Sequence, residues 1–201
     1  VSLDTLRADR LGLYGYERPT SPNIDRIFSS EGLVVERSLS EATDTLHGHA
    51  SMFTGLNPAT ALAAPDTNNL TPFIHPWVLR LADVLHGAGY RTAAFTENAW
   101  LQASLGFAAG FESFVEDREP EDPLATKGHI SETFTRGISW VESHRDSPFF
   151  LFLHSYQVHE PYMPPAEYVF PSPKGAPRSK LESDLYDGEV AYTDRWVATL
   201  I

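Results

Sequence analysis

Apolar positions along this chain follow two periods. Val1–Asp4, Leu33–Arg37, Thr92–Phe95 and Phe149–His154 are short apolar runs that predict strands. Between them the spacing becomes helical. Ser21-Pro22 reads as a cap with proline in the first turn, leading to Ile24, Ile27 and Phe28. Trp77, Val78, Leu81, Ala82 and Leu85 share one helical face, which Gly87 and Gly89 end. Ile130, Phe134, Ile138 and Val141 form another stripe, and Val190, Ala191, Val197, Ala198 and Ile201 a last one. This alternation predicts an α/β fold with a mostly parallel sheet flanked by helices. Pro58–Pro76, the acidic and glycine-rich Ser104–Gly128, and the proline-rich Pro161–Lys180 escape both periods, so they are expected to be loops, lids or site walls. The first strand starts without a lead-in and the last stripe stops on Ile201 without a capping glycine, so the domain is expected to be truncated at both ends.

Composition narrows the picture. A chain of 201 residues suits one domain, expected to span 1–201 as part of a larger one. A net charge of -12 argues against nucleic-acid binding, which needs a basic footprint. It leaves anionic substrates open, because local metal and histidine charge can outweigh the general field. No apolar run approaches the ~20 residues of a membrane span. There is no cysteine, which excludes disulfides and thiol catalysis.

In parallel sheets ligands bind beyond the carboxyl ends of the strands. Asp4 ends the first predicted strand, where a carboxylate suits a hard metal ion; the alternative is a helix N-cap for Thr5–Leu11. Arg7 and Asp9 form a local ion pair in this reading. Thr45 precedes an apolar segment that closes at a glycine-proline turn, so it is either a nucleophile or an ordinary cap. His47 and His49 either surround the anion-attracting end of that helix or act as surface and capping residues. His159 lies in HEPYMPP, where prolines hold the backbone extended and the imidazole fixed. His154 is expected in the core, and His75, His86, His129 and His144 are read as structural. Glu160 and Tyr162 are read as positioning or rim residues. The acidic run Glu112–Asp122 is a solvated lid or, alternatively, a cation site.

The segments VSLDTLRADRLGLYGYERPTSPNIDRI, TLHGHASMFTGLNP, ADVLHGAGYRTAAF, FLFLHSYQVHEPYMPP and YDGEVAYTDR, in this order, resemble the sulfatase family of the alkaline-phosphatase-like superfamily over nearly the whole chain. The resemblance implies that Asp4 is the first metal-binding aspartate, with Thr5 where a second acid often stands. It places Thr45 at the nucleophile position, also against the metal, His49 at the family's arginine, and His159 at the histidine that contacts the anion. It implies His47 and Asn98 as substrate-binding residues. The activity implied is metal-dependent hydrolysis of sulfate esters, with calcium as the expected ion.

The departures point elsewhere. Sulfatases oxidise Cys or Ser to an aldehyde, which threonine cannot give because its β-carbon carries a methyl group. Threonine is the nucleophile of related phosphoryl-transferring branches, which form a phosphothreonine. The Lys-x-His segment of arylsulfatases reads Thr96-Glu97-Asn98-Ala99 here. Phosphoryl-ester hydrolysis or phospho-headgroup transfer, with zinc or manganese, is therefore the alternative. A non-catalytic anion-binding domain is another. The family's Asp-His ligand pair is expected beyond Ile201, which predicts weak metal binding by residues 1–201 alone.

Overall fold

The structure, a computed structural model, describes residues 1–64, 71–97, 100–117 and 128–201. In chain order the elements are β1 (Ser2–Leu3), α1 (Pro22–Ser30), α2 (Thr45–Thr54), α3 (Pro58–Ala61), β2 (Leu62–Ala63) and β3 (Phe73–Ile74). They continue with α4 (Leu81–Gly87), β4 (Arg91–Glu97), β5 (Ser113–Asp117), α5 (Ile130–His144), β6 (Phe149–Ser155) and α6 (Arg178–Leu200). The main sheet has the order β1-β6-β4-β5, and β4 runs parallel to both β5 and β6. The expected α/β class with a parallel sheet is therefore what the chain forms. It divides into two compact units: Val1–Ser2, Leu39–Ala125 and Thr135–His154 make the first, and Leu3–Ser38, Thr126–Phe134 and Ser155–Ile201 the second.

In the first unit β4 lies inside the sheet, and Thr92 to Glu97 are all buried. Ala94 has no exposed surface, and its small side chain leaves room for the cluster of Leu46, Ala50, Phe53, Leu105, Phe107 and Phe152. Phe53 meets Phe152, Phe107 and Phe111 edge-on at 4.8 to 5.9 Å, the arrangement that aromatic quadrupoles favour. Because α2 supplies Leu46, Ala50 and Phe53 to this core, its first turn is fixed relative to the strand ends. Gly55 ends α2 in the left-handed region at φ 68°.

The second unit is organised by α6. Tyr186 and Val190 pack with Leu11 and Val158. The same helix buries acids. Asp187 receives Arg10, Arg18 and Tyr16, and Asp184 receives Arg18, Ser172 and Lys180. Asp194 accepts the backbone N–H groups of Asn23 and Ile24, which are the donors at the start of α1 that lack helical partners.

Several expectations are corrected. Leu33–Arg37 forms no strand; Leu33 is 83% exposed, and an apolar run without a ladder partner does not hold a strand. The helix expected from Trp77 begins at Leu81. The Arg80 side chain draws the Val78 carbonyl (2.6 Å) away from helical bonding, and Trp77 instead stacks on His75. Ser21 stands at the cap position of α1, but its hydroxyl serves Gly12 and Asp25. Thr5–Leu11 is not a helix headed by Asp4: a short 3-10 turn covers Ala8–Arg10. The acidic stretch Ser104–Gly128 contains β5, where Glu112 takes Arg91 and the Thr92 N–H rather than standing free as part of a lid. Residues 118–127, the rest of that run, lie outside the described ones. Pro58–Pro76 contains α3 and the antiparallel pair β2–β3.

Candidate functional site

The first unit carries Thr45, His47 and His49 on α2. Asp44 is the N-cap: its carboxylate accepts from the His47 backbone N–H (3.0 Å) and from His47 Nδ1 (2.7 Å). Burial works against the Asp44 charge, but these bonds outweigh it and hold the carboxyl below its ordinary range. Thr45 is therefore the first residue of a capped helix, half-buried, at the end where the macrodipole and amide groups favour an anion.

His49 lies deeper. A carbonyl can only accept, so its Nδ1 donates to the Thr45 carbonyl (2.8 Å); in the neutral ring Nε2 then accepts from the Ser2 hydroxyl (2.8 Å). The ring is 8% exposed and edge-on to His154 at 5.1 Å. His154 is fully buried and donates Nδ1–H to the Glu97 carbonyl (3.1 Å). This chain of contacts ties the first turn of α2 to β1 and β6. A cavity of 750 Å³ opens beside the helix start, lined by Glu41, Asp44, His47, Asn57, Leu62 and Pro72 among others. That volume is in the range of small-molecule sites.

The second unit carries Asp4 and His159. The Asp4 N–H donates to the Ser155 carbonyl (3.0 Å), which fixes the backbone as it leaves β1. The next residue, Thr5, has φ 56°, a region that a β-branched side chain occupies at a cost of about 1–3 kcal/mol. Three bonds hold it there. Its hydroxyl donates to the Val158 carbonyl (2.9 Å), the Tyr186 hydroxyl donates to the Thr5 carbonyl (2.9 Å), and the Arg7 N–H donates to that same hydroxyl (2.8 Å). Burial pushes Tyr186 up to about 12. Tyr156 is likewise pushed up to about 12, by burial and then by the Asp4 charge, so the carboxylate and the phenol are electrostatic neighbours. Arg7 and Asp9 form the expected exposed pair at 2.6 Å.

His159 stacks on Tyr156, with centroids 4.1 Å apart and 12° between planes. Its Nδ1 donates to the Glu160 carbonyl (2.7 Å), which leaves Nε2 as the ring nitrogen for any further contact. Asn98 lies outside the described residues.

A divalent cation takes four or more ligands. The Asp4 carboxylate has the right chemistry for one. Among the described residues no group of three or more His, Cys, Asp or Glu side chains converges. No described helix is long and apolar enough to cross a membrane. Reasoning from sequence missed Ser2, Asp44, Tyr156 and Tyr186. Tyr186 lies in YDGEVAYTDR, a segment noted without a role for its tyrosine.

The family model Sulfatase matches residues 1–201, and the chain belongs to that family. Its fold recurs in solved structures. It is similar to the C-terminal periplasmic domain of EcEptC from Escherichia coli in complex with Zn, with TM-score 0.73 and 17% identity over 99% of this chain and 56% of that one. It is similar to the putative sulfatase yidJ from Bacteroides fragilis, with TM-score 0.75 and 14% identity over 100% and 56% of the two chains. It is also similar to the lipoteichoic acid synthase LtaP from Listeria monocytogenes, with TM-score 0.62 and 16% identity over 90% and 45%. The chain thus spans about half the length of these structures. At such identities the likeness shows the alkaline-phosphatase-like fold. No curated protein matches the chain significantly.

Proposed function

We propose that the protein cleaves a phosphate ester, with Thr45 as the nucleophile. The observation that carries this is the placement of a threonine, not a cysteine or serine, as the first residue of the capped helix α2. The β-methyl group bars conversion to the aldehyde that sulfate hydrolysis in this family uses. A threonine hydroxyl can attack phosphorus directly: the Oγ–P bond forms, the hydroxyl proton is released to solvent, and the bond to the leaving oxygen breaks. Water then breaks the Oγ–P bond; an alcohol in its place would make the protein a headgroup transferase.

The remaining roles are proposed from side-chain chemistry, supported by local geometry where the residues are described. His159 carries a proton on Nε2 to the leaving oxygen, with its orientation set by Tyr156 and the Glu160 carbonyl. Asp4 is one ligand of a divalent cation, zinc or manganese for phosphorus and calcium for sulfur; when bound, the ion would stabilise charge on the transferring group. His49 acts through Thr45, holding its carbonyl and hence the angle of the helix start. A direct role for His49 at the anion, in the place of the family's arginine, would require its Nδ1 or Nε2 to leave a bond. His47 lines the 750 Å³ cavity, which is offered as the leaving-group subsite. Asn98 remains a proposed donor to the anion.

Sulfate-ester hydrolysis is the second reading, favoured by the family and by the fold shared with a putative sulfatase. Turnover of p-nitrophenyl phosphate and p-nitrophenyl sulfate by the full-length protein separates them. The proposal expects the phosphate to be the better substrate and Thr45→Ala to lower its kcat by about 10³-fold or more. Preference for the sulfate would reverse the order. If Thr45→Ala leaves the behaviour unchanged, the chain is a binding module.

A further inference from the structure

Glu189 is a carboxylate on α6 that is 2% exposed and has no part in the chemistry above. Burying a charge is unfavourable unless hydrogen bonds offset it. Its two oxygens go to two points on one stretch of backbone. Oε2 accepts from Gln157 Nε2 (2.8 Å) and Oε1 accepts from the Met163 N–H (2.6 Å). Between Gln157 and Met163 lies His159. The stretch is held from other sides as well. Val158 is 1% exposed in the cluster with Leu11, Tyr186 and Val190, and its carbonyl accepts from Thr5. Gly128 packs so closely on Gln157 that a Cβ there would stand 2.2 Å from the Gln157 Cα.

We infer that Glu189 is a positioning residue for His159: one buried carboxylate clamps the two ends of the turn on which the imidazole sits, so that the ring lies flat on Tyr156 with Nδ1–H committed to the Glu160 carbonyl. Both bonds ask for an acceptor. A carboxylate supplies two, whereas a glutamine supplies one acceptor and one donor. Glutamine can still serve, because its carbonyl can take the Met163 N–H while Gln157 turns its own amide to accept, giving up only the long bond that its Oε1 takes from the Ile130 N–H (3.4 Å). An aliphatic residue serves neither end and leaves a buried N–H unpaired.

The inference rests on His159 contacting substrate, as proposed above, and the test separates the two. The full-length protein, labelled with ¹⁵N-histidine, is compared as wild type, Glu189→Leu, Glu189→Gln, Gln157→Ala, His159→Ala and the double variant Glu189→Leu/His159→Ala. With p-nitrophenyl phosphate, Glu189→Leu is expected to lower kcat about 10-fold or more with KM within about 3-fold, because geometry at the reacting group is lost rather than binding. Glu189→Gln is expected to recover most of that loss, and Gln157→Ala to fall between. The double variant is expected to be no slower than His159→Ala, since both remove the same contribution. Independent, multiplicative losses would overturn the inference, as would full kcat in Glu189→Leu. If His159→Ala is itself fully active, the functional reading fails, and the imidazole spectrum then decides. A change in the His159 ring ¹⁵N shifts in Glu189→Leu upholds the clamp, and unchanged shifts refute it. If Glu189→Leu does not fold, Gln157→Ala carries the same two readouts with the same meanings.

Discussion

Asp184 shows how a single buried side chain ties stability to pH. Burial opposes its charge, yet bonds from Lys180, Ser172 and Arg18 outweigh it and hold the carboxyl well below the usual carboxylate range. The folded value thus lies below the unfolded one, near 3.9. Its stabilisation is complete above about pH 4 and is lost as pH falls through the folded value. Urea unfolding between neutral and acid pH should show Asp184→Asn less stable by about 1.5–3 kcal/mol at neutrality, with the gap closing in acid. Parallel curves would remove Asp184 from the account. Asp194 works differently, by closing the start of α1 through the Asn23 and Ile24 N–H groups. Asp194→Ala should lower stability by about 1–2 kcal/mol in the same assay, the size of a lost helix cap; an unchanged midpoint would mean that solvent caps the helix equally well.

Among the elements, α6 shows where hydrophobic periodicity misleads. The reading from Val190 to Ile201 found only its later part, because Asp184, Asp187, Glu189 and Asp194 occupy the buried face and score as polar. Each is buried with specific partners, which no spacing rule reveals. β5 was missed for a similar reason: Glu116 and Asp117 break its apolar pattern, yet Glu116 accepts the Ala103 N–H and Asp117 pairs with Arg136. Leu33–Arg37 is the converse, an apolar run that pairs with no strand among the described residues. β4 and β6 were legible because buried parallel strands are continuous apolar runs. On α6, Gly188 permits the close approach of the preceding loop: a Cβ would lie 2.8 Å from Pro164 Cγ and from the Tyr168 carbonyl oxygen. Gly188→Ala should therefore lower the thermal midpoint, by the ~1–3 kcal/mol typical of overpacking. An unshifted midpoint would show that this loop yields freely.

At the scale of the whole molecule, the ordered segments carried the class of protein further than any single residue, and the family match over 1–201 agrees with them. Thr45 and Asp4 stood out in the sequence because the first begins a helix and the second directly follows a strand; their roles, like that of His159, belong to the proposal. The histidine pair was only half legible. His47 and His49 are two residues apart on a helix, so they point in nearly opposite directions; His47 turns outward to Asp44 and His49 inward to Ser2 and His154. A spacing read without its helix phase could not tell them apart. The central claim is that the Thr45 oxygen forms a bond to phosphorus. It is tested most directly by mixing the full-length protein with p-nitrophenyl phosphate, quenching in acid within the first turnovers and mapping the digest by mass spectrometry. The account predicts a phosphate on Thr45 in the peptide that spans the start of α2, absent from Thr45→Ala. Rapid p-nitrophenol release with Thr45 unmodified throughout, or with the phosphate on another side chain, would contradict it.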